Sequence, residues 1–324
     1  MIGALRRADA NRVWSLDEYL QAQLDTGRWL LLAGARHSDV RVRSRNELVA
    51  ANSQSDASYA STSPVAGMTL RLAGGWRAWG TVGRGFETPT LNDLAYRSTN
   101  GALPGLNLAL RAATSNHYEL GVRRSEGPLR GSLAVFQVDT RDELAVLASS
   151  GGRTVYQNIP QTRRRGAELE LAKDFGRHYS AQLAYTALEA VTRADYTSCA
   201  GLPCATVVVR TGSRMAAVPA GALGARFTAR FAPVALTLES QLRSRIAVND
   251  INSDSASGYA LFNLHADFLQ QHGGWRLSES LRVDNLFDRR YVGSVIVNDS
   301  NGRYFEPEPG RAFALLLHLV RSGP

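Results

Sequence analysis

The chain has 324 residues, 44% hydrophobic and 20% charged, with a formal charge of +8, which excludes a disordered chain. Mean hydropathy is −0.20 and no window approaches the roughly 18 consecutive apolar residues of a membrane-crossing helix. A strand that crosses lipid shows an apolar side chain only at every second position, so it escapes that exclusion.

Lys173 is the single lysine, and the remaining positive charge is arginine spread along the chain, with one short run at Arg163–Arg165. Nucleic-acid binders cluster such charge, so no nucleic-acid partner is expected. A basic lumen or mouth that attracts an anionic ligand suits an even spread.

The opening MIGALRRADANRVWS has no apolar core of 7–15 residues, so a signal peptide is not expected in it. Residues 1–14 are predicted to be an irregular leader, with strand structure from residue 15 to 324. Beyond it, a period of two dominates. Val234, Leu236, Leu238, Leu242 and Ile246 alternate with Thr237, Glu239, Gln241, Arg243 and Arg245. Phe262, Leu264 and Phe268 alternate with Asn263, His265 and Asp267. Over Trp275–Asp284, Trp275, Leu277, Leu281 and Val283 share a face on which Glu279 is the exception, and Arg276, Ser278, Ser280, Arg282 and Asp284 make the other. The last stretch puts Phe313, Leu315, Leu317 and Leu319 on one face.

Such runs of about 10–13 residues exceed the usual soluble strand of about 5–6 and match the about 9–11 that a tilted strand needs to cross a bilayer. The connections alternate in length. Short turns are predicted at Asp25–Arg28, Gly74–Gly75, Ser125–Leu129, Asp174–His178, Ala232–Pro233 and Gln271–Gly274. Long polar segments are predicted at Ser44–Ala66, Phe86–Thr114, Thr140–Pro160, Ala190–Arg214, Ala247–Ser257 and Asp288–Gly310. Outer-membrane barrels sort their connections this way, short on the periplasmic side and long outside. The fold class is therefore all-β: an antiparallel transmembrane β-barrel of about 12–14 strands, best counted as 13. With an odd number the first and last strands run in the same direction and cannot close an antiparallel barrel. The expectation is an incomplete sheet with free edges near Ser15–Leu24 and Arg311–Val320, unable to remain in lipid by itself.

Three stretches go beyond a generic barrel: WRAWGTVGRGFETPTLNDLAY (Trp76–Tyr96), the segment Tyr118–Leu171 containing YELGVR, AVFQVDTRDEL and YQNIPQTRRRGAELEL, and DNLFDRRYVGSVIVNDSNGRYFEPEPGRAFALLL (Asp284–Leu317). In this order and spacing they resemble the later part of the barrel of TonB-dependent siderophore receptors, over about residues 65–320. That family's barrel has 22 strands around a plug. Nothing in the chain resembles the plug or the short TonB-contacting segment before it. The resemblance implies an outer-membrane location in a Gram-negative bacterium, lipid around the wall, a ferric siderophore or similar chelate as ligand, and TonB contact only through a plug. Such a chain, taken alone, is expected to be inactive.

Arginine guanidinium matches the oxygens of carboxylate, catecholate or hydroxamate groups, and aromatic rings stack on planar chelates. In the long loops those types stand at Arg84, Phe86, Tyr96, Arg97, Tyr156 and Tyr304, the candidate ligand contacts. Trp29, Trp76, Trp275, Tyr179 and Tyr185 are read as interface-girdle or lipid-facing residues. Cys199 and Cys204, in CAGLPC, are placed to close a small disulfide ring in an oxidising compartment. No metal site and no cofactor are expected. Two polar pairs, His117 with Glu119 and His265 with Asp267, could be read as hydrolase dyads, but polar pairs line any barrel wall. The rival readings are a passive porin-like barrel and an outer-membrane hydrolase.

Overall fold

A computed structural model describes residues 8–47, 54–96, 106–201 and 203–321. In chain order the strands are β1 (Asp9–Asp25), β2 (Trp29–Asn46), β3 (Gln54–Arg71), β4 (Trp76–Glu87), β5 (Ala113–Arg124), β6 (Leu129–Ser150), β7 (Arg153–Phe175) and β8 (Tyr179–Thr192). Then come β9 (Tyr196–Ala200), β10 (Ala205–Val209), β11 (Gly221–Phe231), β12 (Val234–Arg243), β13 (Ile246–Ala247), β14 (Ser255–Ala256) and β15 (Tyr259–His272). The last are β16 (Trp275–Asp284), β17 (Val292–Val295), β18 (Phe305–Pro307) and β19 (Ala312–Arg321). Thirteen of them form one antiparallel sheet in the order β1-β2-β3-β4-β5-β6-β7-β8-β11-β12-β15-β16-β19, every neighbour joined by a hairpin connection. The other six make three small ribbons within the long connections, β9 with β10, β13 with β14 and β17 with β18.

The turns at one end are tight because they use backbone that only glycine adopts without strain. Gly74 and Gly75 have φ of +69° and +74°, and Gly273 and Gly274 have +52° and +79°. Two consecutive positive-φ residues give the turn whose twist suits adjacent strands.

Directly paired residues of an antiparallel sheet share a face, so the register extends the face assignment from strand to strand. Leu238 pairs with Leu264, Leu264 with Val283 and Val283 with Phe313. Leu236, Phe262, Leu277, Leu281, Leu315 and Leu317 have the same parity. The opposite parity carries Arg243, His265, Arg276 and Arg282, with His265 opposite both Thr237 and Arg282. The predicted outward and lumenal sets therefore lie on opposite faces.

The two faces invert the rule for soluble sheets. Leu236 is 47% and Leu281 48% exposed, whereas Thr228, Thr237 and Asn263 on the polar face are 5%, 9% and 8% exposed. An apolar face left open beside a covered polar face belongs in lipid. The apolar belt continues round the sheet through Leu31 on β2, Val82 on β4, Leu120 on β5, Leu133 and Val135 on β6, Leu169 on β7 and Leu183 on β8. Trp29, Trp76, Tyr179, Tyr185 and Trp275 all belong to this outward parity, as girdle residues must. On β8 the belt runs from Tyr179 to Ala187, about 27 Å along the strand and about 20 Å of height at a usual barrel tilt. Among the described residues no helix is long and apolar enough to cross a membrane.

Three expectations need correction. The leader boundary at residue 14 lies too late, since β1 starts at Asp9. Thr140–Pro160 is not a loop: β6 and β7 are 22 and 23 residues long and turn only at Gly151 and Gly152. Much of Ser44–Ala66 is likewise strand, because β3 begins at Gln54. These extensions rise beyond the belt. There neither face meets hydrocarbon, so the apolar alternation that marks a strand in the sequence disappears. Ile246 leaves the alternating run of β12 to pair with Ala256 in a loop ribbon.

The face assignment predicts an asymmetric response to charge. Leu238→Arg, at mid-belt, should destabilise the folded wall by about 2–4 kcal/mol, whereas Gln241→Arg on the inner face should change it by less than about 1 kcal/mol. Urea unfolding in lipid vesicles measures both, and equal losses would refute the assignment.

Candidate functional site

The long connections fold over one end of the polar face as a roof, held by two fastenings. The first is apolar. The β4–β5 connection brings Leu94, Leu106 and Leu110, exposed by 0%, 1% and 5%, onto Val42 of β2 and Tyr59 of β3. The Tyr59 hydroxyl donates to the Leu110 carbonyl at 3.1 Å. Burying a leucine in this way contributes about 1.5–3 kcal/mol, enough to hold a connection whose described residues form neither helix nor strand.

The second fastening is polar and centres on Asp250, in the β12–β15 connection. Its Oδ2 accepts from the Asn298 side-chain amide at 2.9 Å and from the Ser198 hydroxyl at 3.0 Å. The Tyr196 hydroxyl also bonds to its carboxylate. Asn298 continues the network, with its amide on the Val146 carbonyl at 2.7 Å, its Oδ1 on the Asp250 N–H at 3.1 Å and its own N–H on the Val248 carbonyl at 3.1 Å. Four connections thus meet: β8–β11 through Ser198, β12–β15 through Asp250, β16–β19 through Asn298, and the β6–β7 hairpin through Val146. A parallel bridge between Ser149 and Asp299 reinforces the last junction. In strand order β6 and β16 lie six steps apart, about 29 Å in a flat sheet. Their loops touch, so the sheet curls strongly toward its polar face, which is the inner wall of a barrel.

Burial disfavours the charged form of Asp250 and raises its pKa above the ordinary carboxylate value, although the bonds from Asn298, Ser198 and Tyr196 work in the opposite direction. The same burial, with the nearby Asp250 charge, raises the Tyr196 phenol. Beneath this knot Asp195 closes the base of the β9–β10 hairpin. It accepts from the Thr211 N–H at 2.7 Å and hydroxyl at 2.8 Å and pairs with Arg210, which together hold its carboxyl down at about 2. Cys199 and Cys204 join near the hairpin tip with Cα atoms 5.3 Å apart.

The candidate ligand residues do not converge. Phe86 and Tyr156 pack half-buried against the apolar fastening. Tyr96 holds Arg153 over its ring at 5.7 Å. Tyr304 stacks edge-on with Phe305, at 6.3 Å between ring centres, and lines a small cavity beside Asp250 and Asn298. Arg84 has the parity of Trp76 and Val82 and so points outward, across from Asn116. Arg97 lies outside the described residues. Asp250, Asn298 and Ser198 were not singled out from the sequence, because a buried polar residue in a loop reads the same as a solvated one. The repeated Val-Asn-Asp at 248–250 and 297–299 is the one textual trace of their meeting.

The dyads dissolve on inspection of their partners. His265 faces Glu239 at 3.6 Å, while Asp267 accepts from Ser280 at 2.6 Å. His117 has a serine beside it, Ser115 at 2.7 Å. Glu119 is engaged instead by the Trp79 indole N–H at 2.6 Å. Among the described residues no three His, Cys, Asp or Glu side chains gather as a metal site.

A curled antiparallel sheet with an apolar outer belt, a polar inner wall and a roof of long connections defines an outer-membrane barrel wall. Residues 3–286 match the family model "TonB dependent receptor-like, beta-barrel", and the chain belongs to that family. Its barrels are outer-membrane proteins of Gram-negative bacteria, and its members are receptors and transporters rather than enzymes. The siderophore receptor PiuA from Acinetobacter baumannii superposes with a TM-score of 0.77 at 16% identity, over 95% of this chain and 43% of its own. The ferric citrate transporter FecA gives 0.76 at 15%, over 97% and 46%. The copper transporter OprC gives 0.72 at 14%, over 92% and 46%. The chain thus spans less than half the length of these structures, and at such identities the likeness concerns the fold.

Two outcomes test the polar fastening. Asp250→Ala, which strands the Asn298 and Ser198 donors, should loosen the roof by about 1–3 kcal/mol, read as faster amide exchange at 247–256 and 296–300 with the belt strands unchanged. A raised folded-state pKa means that the Asp250 contribution is most favourable below the ordinary carboxylate range and declines as pH rises through the raised value. Asp250→Asn keeps an acceptor without the charge. Its roof should therefore gain on that of the unmodified protein as pH rises through that window, and a pH-independent difference would show that burial leaves Asp250 unshifted.

Proposed function

We propose that this sheet is the ligand-facing wall of a TonB-energised receptor for a ferric siderophore or a similar metal chelate. The observation that carries this reading is the fastened roof over a polar, arginine-rich inner wall. A passive pore needs an open mouth, whereas a receptor needs loops held in fixed positions above its lumen. The inner wall carries Arg71, Arg130, Arg226 and Arg282, partnered by Asp25, Asp174, Glu239 and Asp284. Paired guanidinium groups set at known positions guide an anionic chelate inward without trapping it. At the mouth, Tyr96 with Arg153 offers a ring face and a cation side by side, and Tyr304 offers a ring beside the Asp250 knot. These are the ligand contacts favoured here; Phe86 and Tyr156 shape the roof that presents them. The described sheet has edges at β1 and β19. An unpaired backbone group in hydrocarbon costs several kcal/mol, so the wall works only when further strands pair with both edges, and the energy of uptake reaches it through a plug.

The neighbours in fold include a siderophore receptor, a ferric citrate transporter and a copper transporter, which sets the panel for the test. Protein extracted from outer membranes is titrated with a ferric catecholate, a ferric hydroxamate, ferric citrate and Cu(II), with tryptophan quenching as the signal. Saturable binding of one class, weakened about tenfold by Tyr96→Ala or Arg153→Ala, is the expected outcome. No saturable binding, together with ohmic conductance in planar bilayers, would replace the receptor by a passive channel.

A further inference from the structure

The outer face of the wall holds a second polar site, away from the lumen. Arg84 on β4 pairs across to Asn116 on β5, Asn116 to Asp139 on β6 and Asp139 to Arg163 on β7. One rung higher the same strands carry Thr114, Arg141 and Gln161, and the register continues to Arg193 just after β8, whose N–H donates to the Gln161 carbonyl at 2.8 Å. Together they line a groove of about 410 Å³. Four arginines and one carboxylate face it, a balance of +3. Asp139 is taken by Arg163 at 2.6 Å, and Arg84, Arg141 and Arg193 form no salt bridge among the described residues. Elsewhere on this face, above the belt, Arg41 is paired with Asp39, Arg43 with Asp56 and Arg165 with Glu189. The groove differs from these in carrying three arginines without such a partner.

Its height on the wall says what the groove meets. Arg84 stands two residues above Val82 and Asn116 two above Tyr118, the last lipid-facing positions of their strands. Two residues are about 6–7 Å along a strand, so the groove begins where the hydrocarbon ends. On β4 and β5 its lower rim is the exposed apolar belt, with Val82 and Tyr118 each 47% exposed, and on β6, β7 and β8 one rung of Gln137, Arg165 and Glu189 separates it from the apolar Val135, Ala167 and Ala187. A ligand that lies there must place anionic oxygens among guanidinium groups and acyl chains on the belt just below.

We propose that this groove binds a phosphate-bearing lipid headgroup of the outer leaflet, with Arg84, Arg141 and Arg193 as the phosphate ligands and the belt below β4–β8 as the seat of its acyl chains. This reassigns Arg84 from chelate recognition to lipid recognition, and it holds whether or not the lumen takes a ferric chelate. The groove fixes one lipid at one place on the wall, at the upper edge of the belt, whereas the outward cations Arg124, Lys173 and Arg321 stand singly over aromatic rings at its lower edge.

The test uses delipidated protein extracted from outer membranes and native mass spectrometry in a mild detergent. The probes are diphosphoryl lipid A, the same lipid enzymatically dephosphorylated, and inorganic phosphate. One saturable lipid A site is expected, with at least tenfold weaker binding of the dephosphorylated form and no competition from millimolar phosphate. Arg84→Gln with Arg193→Gln should lower the affinity at least tenfold, and Arg84→Lys with Arg193→Lys should restore most of it. Chelate binding should not change. Equal binding of both lipids to the unmodified protein would overturn the proposal even if the variants failed to fold, because only acyl chains would then be recognised. Displacement by phosphate alone would overturn it too, leaving a site for a free anion rather than for a lipid.

Discussion

A backbone N–H or C=O in hydrocarbon has no water to bond, and this constraint dictates the rest of the molecule. It forces the spanning residues into paired strands, and pairing forces side chains to alternate between lipid and lumen. The sequence can then be apolar only at every second position, so the chain crosses a membrane while keeping a mean hydropathy of −0.20. The same constraint orders the connections. Those at one end have only to reverse the chain, and two glycines suffice, as at Gly74–Gly75. Those at the other end stand in water, free of the constraint, and can be long enough to build a roof.

The roof obeys a different logic. It buries apolar side chains at the Leu94–Leu106–Leu110 cluster and singly elsewhere, as at Val209 and Val248, and its order depends on satisfying polar groups around Asp250 and Asn298. Such a network holds when complete and fails when one partner is lost, since each stranded donor then carries its full desolvation cost. The disulfide contributes locally, since a ring as short as Cys199–Cys204 restricts the unfolded chain by only about 2 kcal/mol.

The wall was legible in the sequence because a physical boundary wrote a period into it. Over β12, β15, β16 and β19 each side chain faces either lipid or water, and the alternation from Val234 to Leu319 follows. Above the belt the boundary is gone. Leu144 packs under the roof while Arg141 and Arg165 face solvent, and the sequence there reads as polar loop although it forms the longest strands of the sheet. The site suffered more. Arg84 looked like a lumenal contact because residue type says nothing about face; only the alternation with Trp76, Ala78 and Val82 could have placed it outside. The knot at Asp250 joins residues as far apart as Val146 and Asn298, and local pattern carries no information about such a meeting.

That separation also sets the order in which the protein can be finished. A bond between Val146 and Asn298 closes a loop of about 150 residues, and in a flat sheet its two ends would be too far apart to meet. It can form only after the intervening strands have paired and the sheet has curled, so this junction closes after the apolar fastening, whose partners lie on neighbouring strands. Until then the roof is held on one side only. A wall assembled this way cannot carry a finished roof until its strands have found their neighbours.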